Sequence, residues 1–569
     1  MSIADFFHID RRHRAVIFLV NSPRVRGAAI VAFHLAALAS MYLTEVDLFG
    51  WSLFLLTWGL SNFFWLMLLR RPAIAAALSL VLILIVIVLS YFKFTMLWMT
   101  ISFLDVLIID PDTIAFLLSI FPNLRTSMII GALITILLLV LSWRLDPFRI
   151  RLRSAALGGT ACLAGIIGLS ASAPEQPWEP FQGVNHVSNF ARSGVLSLSE
   201  LLMHGWLEFD SVTADRLKTA EMTCQPNGKP PHIIMVLDEG SFDITAAPGI
   251  KVPPNYQRHF RSFDGKIRSF IVEGSGGPTW YTEYNVLTGL SARSYGRLMF
   301  YVTRIAAGRV ERGLPKSLRR CGYHTFSLYP AYGAFLDARR FQTTTGVERF
   351  IDSREMGAGD VEPDYFFYER AERVIARERG GAPLFLFVYT VANHFPWDTH
   401  FRIDLTPEWR DLGNKPEVEE YIRRQTMSAR DYSDFIARLQ RDFPGESFLI
   451  VRFGDHQPAL AARIIDPSLN DSAIAQRVIM RDPRYFSTYY AIDAINFAPR
   501  DISSALDRLE APYLPLVVQE AAGLPLDPSF AEQKKILQRC QGLFYLCAGG
   551  AEARRFNRLL IDAGLIKGF

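Results

Sequence analysis

The chain has 569 residues, half of them hydrophobic and 20% charged, and its mean hydropathy is +0.17. This length allows two or more domains, and the hydropathy is high for a wholly soluble protein. The net charge of +4 is small for the length and gives no basic surface of the kind that nucleic-acid-binding proteins carry, so we expect no nucleic-acid partner.

Five apolar runs in the first third of the chain are close to the roughly 20 residues that a bilayer-spanning helix requires. They begin at Gly27, Trp51, Ala73, Ser127 and Ala155. A single run of this kind could be a buried helix of a soluble protein, but five in succession indicate a membrane bundle. The last run lies too far inside the chain to be a cleavable signal.

The segments that flank and connect these runs are alternately basic and acidic. Arginines flank one side of the predicted bundle: Arg11, Arg12, Arg14, Arg24, Arg26, Arg70, Arg71, Arg144, Arg149, Arg151 and Arg153. The other loops carry Glu45, Asp47, Asp105, Asp110 and Asp112. By the positive-inside rule the N-terminus is cytoplasmic, and everything after about residue 172 lies outside the membrane. We therefore expect a multi-pass protein of the inner (plasma) membrane with a periplasmic or other extracytoplasmic C-terminal part.

A change in composition marks the end of the membrane part. The proline-rich stretch "SAPEQPWEP", residues 172–180, is followed by an amphipathic segment to about residue 230. We expect this segment to lie along the membrane or to pack on the exported part. The predicted domains are a transmembrane helical domain (1–172), a linker with juxtamembrane helices (173–230) and an extracytoplasmic domain (231–569).

Four cysteines fall in the predicted exported region, Cys224, Cys321, Cys540 and Cys547. Four cysteines allow three pairings. Cys540 and Cys547 are near neighbours in sequence and either form a disulfide or remain reduced. Neither outcome decides the function.

Short continuous apolar runs appear after residue 231, at 232–237, 324–330, 384–392 and 447–453. Runs of this kind are typical of strands that are buried on both faces. Charged segments with helical character lie between them, at 364–380 and 429–443. Strands that alternate with helices indicate an α/β domain with a mostly parallel sheet.

Acidic residues and histidines follow three of these strands. The first run is followed by Asp238 and Glu239, the third by Asn393 and His394, and the fourth by Asp455 and His456. Ligands of open α/β sheets bind beyond the carboxyl ends of the strands. Carboxylates and imidazoles are suitable ligands for zinc or manganese, so together these residues favour a metal site.

The stretch "GSGGPTWYTEYNVLTGL", residues 274–290, places three glycines and a proline before Thr279. "TWYTEYNVLT" fits a helix with Gly289 as its stop, and the N-terminus of that helix would present N–H groups to a phosphoryl oxygen. A divalent ion would make the Thr279 hydroxyl a usable nucleophile. The alternative is a threonine that merely caps the helix.

The order of these motifs resembles a known family. Membrane spans, a strand followed by Glu and Ser-Phe, Gly-x-Thr, "NHFP" and "GDH" occur in the same order in the sulfatase-like phospholipid headgroup transferases of the alkaline phosphatase superfamily. That family includes the lipoteichoic acid synthases and the phosphoglycerol and phosphoethanolamine transferases. The resemblance implies an alkaline phosphatase/sulfatase-like α/β exported domain behind an N-terminal bundle of about five transmembrane helices.

By position, the resemblance implies one divalent ion, Zn or Mn, bound by four residues: Glu239, Thr279, Asp455 and His456. Thr279 would also be the nucleophile, and His394 would lie beside the phosphate or the leaving group. Arg339 or Arg340 would hold the headgroup, although a solvated helix face is the alternative for both. Asp238 remains an alternative to Glu239, because this chain reads Asp-Glu-Gly-Ser-Phe where the family usually has Glu directly before Ser or Thr.

The resemblance therefore predicts a transferase that moves phosphoglycerol, or phosphoethanolamine, from a phospholipid donor to a glycan or lipid acceptor of the envelope. The transfer would pass through a phosphothreonine. The alternatives are a phosphodiesterase or sulfatase-like hydrolase, and a non-catalytic membrane protein that keeps the fold for envelope binding. None of the cysteines has the x-Pro-x-Arg context from which true sulfatases make their formylglycine.

Overall fold

The computed structural model describes residues 23–567 except 98, 109–110, 147, 174–179, 181, 214, 218–223, 225, 227 and 360. Arg11, Arg12 and Arg14, most of the predicted break at 172–180 and parts of the predicted linker lie outside the described residues. The chain forms two compact units, Met1–Ile109 with Phe121–Glu200, and Asp110–Ile120 with Leu201–Phe569.

The first unit is helical. Its helices are α1 (Pro23–Thr44), α2 (Leu48–Leu69), α3 (Pro72–Leu97), α5 (Pro122–Leu145), α6 (Leu152–Ser172) and the first part of α7 (His186–His204), while α4 (Pro111–Ile120) belongs to the second unit. A helix thus forms at each of the five predicted apolar runs. Helix α2 begins where the Asp47 carboxylate accepts a hydrogen bond from Gly50 N at 2.6 Å.

Four helices of the described residues are long and apolar enough to cross a membrane, Leu48–Leu69, Pro72–Met96, Asn123–Arg144 and Leu152–Ser172. The apolar part of α1 is shorter, Ile30–Thr44. Large apolar side chains on α5 are exposed, Leu133, Ile134 and Leu137 each by 60% or more. Apolar side chains that face outward on a long helix are what a lipid environment accepts. The number of spans and the orientation remain predictions.

The second unit is built on an eight-stranded sheet. The strands are β1 (His232–Asp238), β2 (Arg268–Ile271), β3 (His324–Leu328), β4 (Arg349–Ile351), β5 (Leu384–Tyr389), β6 (Phe448–Gly454), β7 (Ser487–Ile495) and β8 (Arg508–Glu510), in the order β4-β3-β5-β1-β6-β7-β2-β8. Strands β4, β3, β5, β1 and β6 are parallel to one another, and β2 is parallel to β8. Among the described strands, β7 runs antiparallel to both of its neighbours, β6 and β2. The prediction of a mostly parallel α/β sheet is confirmed.

The helices of this unit cover the sheet and connect its strands. They are α8 (Thr279–Thr288), α9 (Val302–Ala306), α10 (Leu314–Arg320), α11 (Ala338–Thr345), α12 (Ser353–Met356), α13 (Asp364–Glu378), α14 (Pro416–Asp442), α15 (Ala459–Ile465), α16 (Asp471–Ile479), α17 (Leu514–Ala521), α18 (Pro528–Cys540) and α19 (Ala551–Asp562). Strands β1, β5 and β6 are buried along their whole length. Their apolar side chains pack against α13 and α14 in one cluster that includes Phe367, Ile375 and Phe435.

The register of the three central strands brings their carboxyl ends together. Leu237 of β1 pairs with Tyr389 of β5 and with Phe453 of β6, and Asp238 pairs with Gly454. The residues that follow these strands therefore leave the sheet at one edge. This places Glu239, the loop after Tyr389, and the Asp455–His456 pair on the same side of the domain.

Two disulfides are present in this unit, Cys224–Cys321 and Cys540–Cys547. Of the two outcomes left open for Cys540 and Cys547, the structure shows the disulfide. The remaining cysteine, Cys162, is free and lies on α6.

Candidate metal centre and active site

Four polar side chains from three different elements meet at the carboxyl edge of the sheet. Glu239 follows β1, Asp455 and His456 follow β6, and Thr279 is the first residue of α8. Glu239, Asp455 and His456 are nearly fully buried, with 6%, 0% and 3% of their surface exposed. Thr279 is only half-buried. The cluster thus has a buried floor of ligand atoms and one hydroxyl that a substrate can reach.

The backbone at the end of β6 brings these elements close together. A Cβ atom on Gly454 would lie 1.8 Å from the carbonyl oxygen of Ser241, so only glycine fits where the two strand ends meet. Gly276 and Gly277 have φ values of 83° and 148°, which are costly for other residues. The glycines before Thr279 therefore allow the chain to turn sharply into α8, where Gly276 N donates to Gln457 O at 2.9 Å.

The distances within the cluster match those of a metal site. His456 Nε2 lies 3.3 Å from both Glu239 Oε1 and Asp455 Oδ2. Thr279 Oγ1 lies 3.1 Å from Glu239 Oε2 and 3.4 Å from His456 Nε2. Ligand atoms at ~2.0–2.1 Å from a tetrahedral ion are about 3.3–3.4 Å apart. Glu239, Asp455 and His456 are all buried, and their ligand atoms lie within 4.8 Å of one another.

The hydrogen bonds around the cluster leave its ligand atoms available. His456 Nδ1 lies 3.0 Å from the carbonyl oxygen of Gln457, which assigns the N–H to Nδ1 and the lone pair to Nε2. Asp455 Oδ1 accepts from Gly240 N at 2.8 Å, whereas its buried Oδ2 accepts no hydrogen bond from a described residue. A buried carboxylate oxygen without a donor is costly unless a cation compensates it. The donor set therefore fits a divalent ion.

The electrostatics of the cluster point the same way. Burial, and then the neighbouring charge of Glu239, raise the pKa of Asp455 to about 7. Burial lowers the pKa of His456, but the carboxylates of Asp455 and Glu239 outweigh it and raise that pKa to about 9. Two carboxylates crowded at one buried point thus favour positive charge between them.

Asp238, the alternative ligand, lies outside this cluster. Its carboxylate is 2.8 Å from His259 Nε2 and accepts from the Tyr489 hydroxyl at 2.6 Å. Asp238 is the last residue of β1 and Glu239 begins the turn that follows, and the Glu239 carboxylate contacts Thr279 and His456 instead. Burial acts to raise the pKa of the Asp238 carboxyl, but the hydrogen bond and charge of His259, together with the hydroxyls of Tyr489 and Ser241, outweigh burial and lower that pKa.

Thr279 does not cap its helix. The residue before the first turn of α8 is Pro278, which has no side-chain cap, and the Thr279 hydroxyl faces Glu239 and His456 instead. Gly289 ends the helix in the left-handed conformation, as predicted. We expected the N-terminus of α8 to present backbone N–H groups to a phosphoryl oxygen. Fewer of these groups are available, because Thr279 N donates to Gly277 O and Tyr281 N donates to Pro278 O.

His394 lies in the loop after β5, half-buried. Its Nδ1 is 2.7 Å from the carbonyl oxygen of Phe395, which leaves Nε2 as the nitrogen for a substrate. Burial acts to raise the pKa of the Glu239 carboxyl, but that pKa is lowered. His456 contributes most to the lowering, and the nearby His394 contributes less.

The two candidate arginines are engaged elsewhere. Arg339 donates to Phe350 O at 2.9 Å and to the carboxylates of Asp352 and Glu355 at 2.9 and 2.7 Å. The side chain of Arg340 is 67% exposed, with Asp337 as its acidic neighbour at 3.5 Å. Both side chains thus have acidic neighbours of their own, and a role of either in holding a headgroup stays a prediction.

Two further buried side chains adjoin predicted site residues, Glu283 near Thr279 and Arg424 at the loop of His394, and only the first has a signal in the sequence. Glu283, one turn after Thr279, is fully buried and accepts from Gln342 Nε2 at 2.8 Å. Arg424 of α14 donates to three carbonyl oxygens of the loop that carries His394. The i+4 spacing from Thr279 marks Glu283 in the sequence, but no sequence signal separates Arg424 from the other basic residues of its helix.

Parts of this chain are similar to known proteins. Residues 269–487 match the family model described as Sulfatase. Over 294 residues the chain is 22% identical to a candidate cyclic beta-1,2-glucan modification protein of Rhizobium meliloti (strain 1021). That alignment covers 50% of this chain and 44% of the relative, so the chain matches less than half of the relative's length.

Three solved structures are similar to parts of the chain. They are the lipoteichoic acid synthase LtaP of Listeria monocytogenes (TM-score 0.41, 16% identity, 55% of this chain and 76% of that one), the phosphoglycerol transferase GacH of Streptococcus pyogenes with sn-glycerol-1-phosphate (0.45, 14%, 60% and 87%), and the lipooligosaccharide phosphoethanolamine transferase EptA of Neisseria meningitidis (0.44, 11%, 83% and 95%).

Proposed function

We propose that this chain, whose residues 269–487 match the Sulfatase family model, is a membrane-anchored, metal-dependent transferase of phospholipid headgroups. It would move phosphoglycerol, or phosphoethanolamine, from a phospholipid to a glycan or lipid acceptor of the envelope. One observation carries the proposal: the half-buried Thr279 hydroxyl lies 3.1 Å from Glu239 in a buried cluster of metal-type ligands. A binding protein would have no need of a hydroxyl held at such a point.

The first half-reaction forms a covalent phosphothreonine. Thr279 Oγ1 attacks the phosphorus of the lipid headgroup, and the bond from phosphorus to the diacylglycerol oxygen breaks. Glu239 Oε2, which accepts the hydrogen bond of the hydroxyl, orients the attacking oxygen as its proton passes to water. His394 donates a proton from Nε2 to the departing diacylglycerol oxygen.

The second half-reaction reverses these roles. His394, now neutral, takes the proton of an acceptor hydroxyl, and that oxygen attacks the phosphorus. The bond to Thr279 Oγ1 breaks, and the threonine regains a proton from water. The headgroup has then moved from the lipid to the acceptor, and the site is restored.

Glu239, Thr279, Asp455 and His456 would hold one divalent ion, Zn or Mn, since two carboxylates and an imidazole suit either metal. When bound, the ion lowers the pKa of the nucleophilic hydroxyl and stabilises charge that develops on the phosphoryl oxygens. The hydrogen bond from His456 Nδ1 to Gln457 O fixes the tautomer that this role requires.

We propose residues 1–172 as the transmembrane domain, 173–230 as linker and juxtamembrane helices, and 231–569 as the catalytic domain on the periplasmic side of the inner membrane. The two disulfides of the second unit suit an oxidising compartment. A lipid donor suits a catalytic domain that is tethered to the bilayer.

The test is release of diacylglycerol by the full-length protein in detergent with labelled phosphatidylglycerol and, separately, phosphatidylethanolamine. We expect release from one lipid, and loss of release in Thr279→Ala. Appearance of free glycerol phosphate or phosphoethanolamine in the presence of acceptor would instead indicate the hydrolase. No release from either lipid by folded, metal-loaded protein would contradict the proposal.

A further inference from the structure

A buried charged cluster on α14 lies beneath the loop that carries His394. Glu420 accepts hydrogen bonds from Arg423 Nε at 2.9 Å and from Arg424 Nε at 2.6 Å. The three side chains are almost completely buried: Glu420 is 1% exposed, Arg423 3% and Arg424 4%. Replacing a buried ion pair by apolar side chains is often neutral or stabilising, so stability alone does not explain this cluster.

Arg424 holds the His394 loop, which we define as residues 390–400. Its Nη1 donates to the carbonyl oxygen of His394 at 2.7 Å, and its Nη2 donates to those of Pro396 and Thr399, both at 2.8 Å. Only the planar, forked guanidinium can reach three carbonyl groups in this way while also binding a carboxylate. A lysine at this position would keep the charge and lose the fork.

The first residues of the loop are held by a different side chain. The buried Asp364 carboxylate accepts from Val391 N at 3.1 Å and Ala392 N at 2.9 Å, before the histidine is reached. Trp397 Nε1 donates to Asn393 O at 3.1 Å. From His394 onward, Arg424 binds three carbonyl groups of the loop, including the carbonyl of the histidine itself.

Arg423 is a matched neighbour with a different target. It is equally buried and shares Glu420, but its Nη1 donates to Thr406 Oγ1 at 2.6 Å and its Nη2 to Phe401 O. These contacts lie beyond the His394 loop. A comparison of variants at these two adjacent arginines therefore separates the effect of burying a charge from the effect of holding the backbone of His394.

We infer that Arg424 is a positioning residue for His394: its guanidinium fixes the backbone from which the imidazole reaches the substrate phosphate. This role rests on the proposed function, because His394 serves as proton donor and acceptor only in that reaction. Misplacing a catalytic group by about 1 Å costs on the order of a hundredfold in rate.

The experiment combines Arg424→Lys, Arg423→Lys and His394→Ala in the full-length protein. We expect Arg424→Lys to lower kcat for diacylglycerol release about 10- to 100-fold with KM little changed, and Arg423→Lys to lower it less than about threefold. In the double variant with His394→Ala, Arg424→Lys should add no further loss. Losses that multiply in the double variant, or an equal loss in Arg423→Lys, would overturn the inference.

A second readout does not depend on activity. Hydrogen–deuterium exchange of the peptide that covers residues 393–400 should become faster in Arg424→Lys and stay unchanged in Arg423→Lys. The peptide that covers residues 401–406 should exchange faster in Arg423→Lys and stay unchanged in Arg424→Lys. Unchanged exchange at 393–400 would overturn the inference even if the enzyme is active. If the wild type releases no diacylglycerol, the proposed function fails, and the exchange result still decides whether Arg424 holds the loop.

Discussion

Thr279 Oγ1 and Glu239 Oε2 lie 3.1 Å apart although 40 residues separate them in sequence. The contact exists because the carboxyl end of β1 and the N-terminus of α8 converge at one edge of the sheet. Neither residue has a structural task that explains the contact: Thr279 does not cap α8, and Glu239 lies beyond the last residue of β1. The proposed function explains this pair as a nucleophile beside a carboxylate that would bind the metal.

Metal content separates Asp455 from Asp238. We expect Asp455→Asn to bind far less Zn or Mn than wild type, because it removes a charged ligand whose Oδ2 lies 3.3 Å from His456 Nε2. Asp238→Asn is the matched control, a buried carboxylate one residue before Glu239 that faces His259 and Tyr489. Elemental analysis of the folded proteins decides; equal loss in both variants would contradict the assignment.

Gly454 is required by the approach of two strand ends. Because an added Cβ would lie 1.8 Å from Ser241 O, Gly454→Ala should lower the free energy of unfolding by about 3 kcal/mol or more and weaken metal binding. Gly445→Ala, three residues before β6, has open space for its Cβ and should change little. Thermal melts of the two variants provide the comparison, and similar melting temperatures would contradict the steric account.

Glu283 should make stability depend on pH. Burial raises the pKa of its carboxyl to about 7 from 4.5, and Gln342 and the nearby hydroxyl of Tyr389 only partly offset this. The folded state therefore binds more protons than the unfolded state between pH 4.5 and about 7. The free energy of unfolding falls across that window as pH rises, by on the order of 3 kcal/mol.

Glu283→Gln removes this titration, so its stability relative to wild type should rise between pH 5 and pH 8. Denaturant or thermal unfolding at both pH values measures the difference, and other buried acids cancel in the comparison. Glu417→Gln, an exposed carboxyl in the first turn of α14, is the control that should show no such change. Parallel pH profiles for wild type and Glu283→Gln would count against a buried, protonated carboxyl.

The sequence predicted the parallel core of the sheet because β1, β5 and β6 are continuous apolar runs buried on both faces. The sequence did not predict β7, because its polar and apolar residues do not alternate clearly. The antiparallel pairing of β7 with β2 is decided by tertiary contacts. The site residues were found through the rule that ligands bind at the carboxyl ends of strands. Their roles remain predictions, although the structure brings four of them together.

The sequence could not show which way each side chain points or what it contacts. Asp238 and Glu239 are adjacent acidic residues in the sequence, and only the contacts in the structure show which carboxylate faces the cluster. Arg339 and Arg340 were candidates by position, yet their own carboxylate neighbours engage them. The sequence could not identify the role of Arg424. That role depends on which carbonyl groups the buried arginine contacts, and those belong to a loop 25 to 30 residues away.

The covalent intermediate is the central claim, and trapping it is the most direct test. The full-length protein would be incubated with phosphatidylglycerol or phosphatidylethanolamine without acceptor, quenched in acid and digested, and the peptide that contains Thr279 examined by mass spectrometry. The account predicts a headgroup phosphoester on Thr279, absent from Thr279→Ala and from protein stripped of metal. Diacylglycerol release with Thr279 unmodified at every time point, including the earliest, would contradict it.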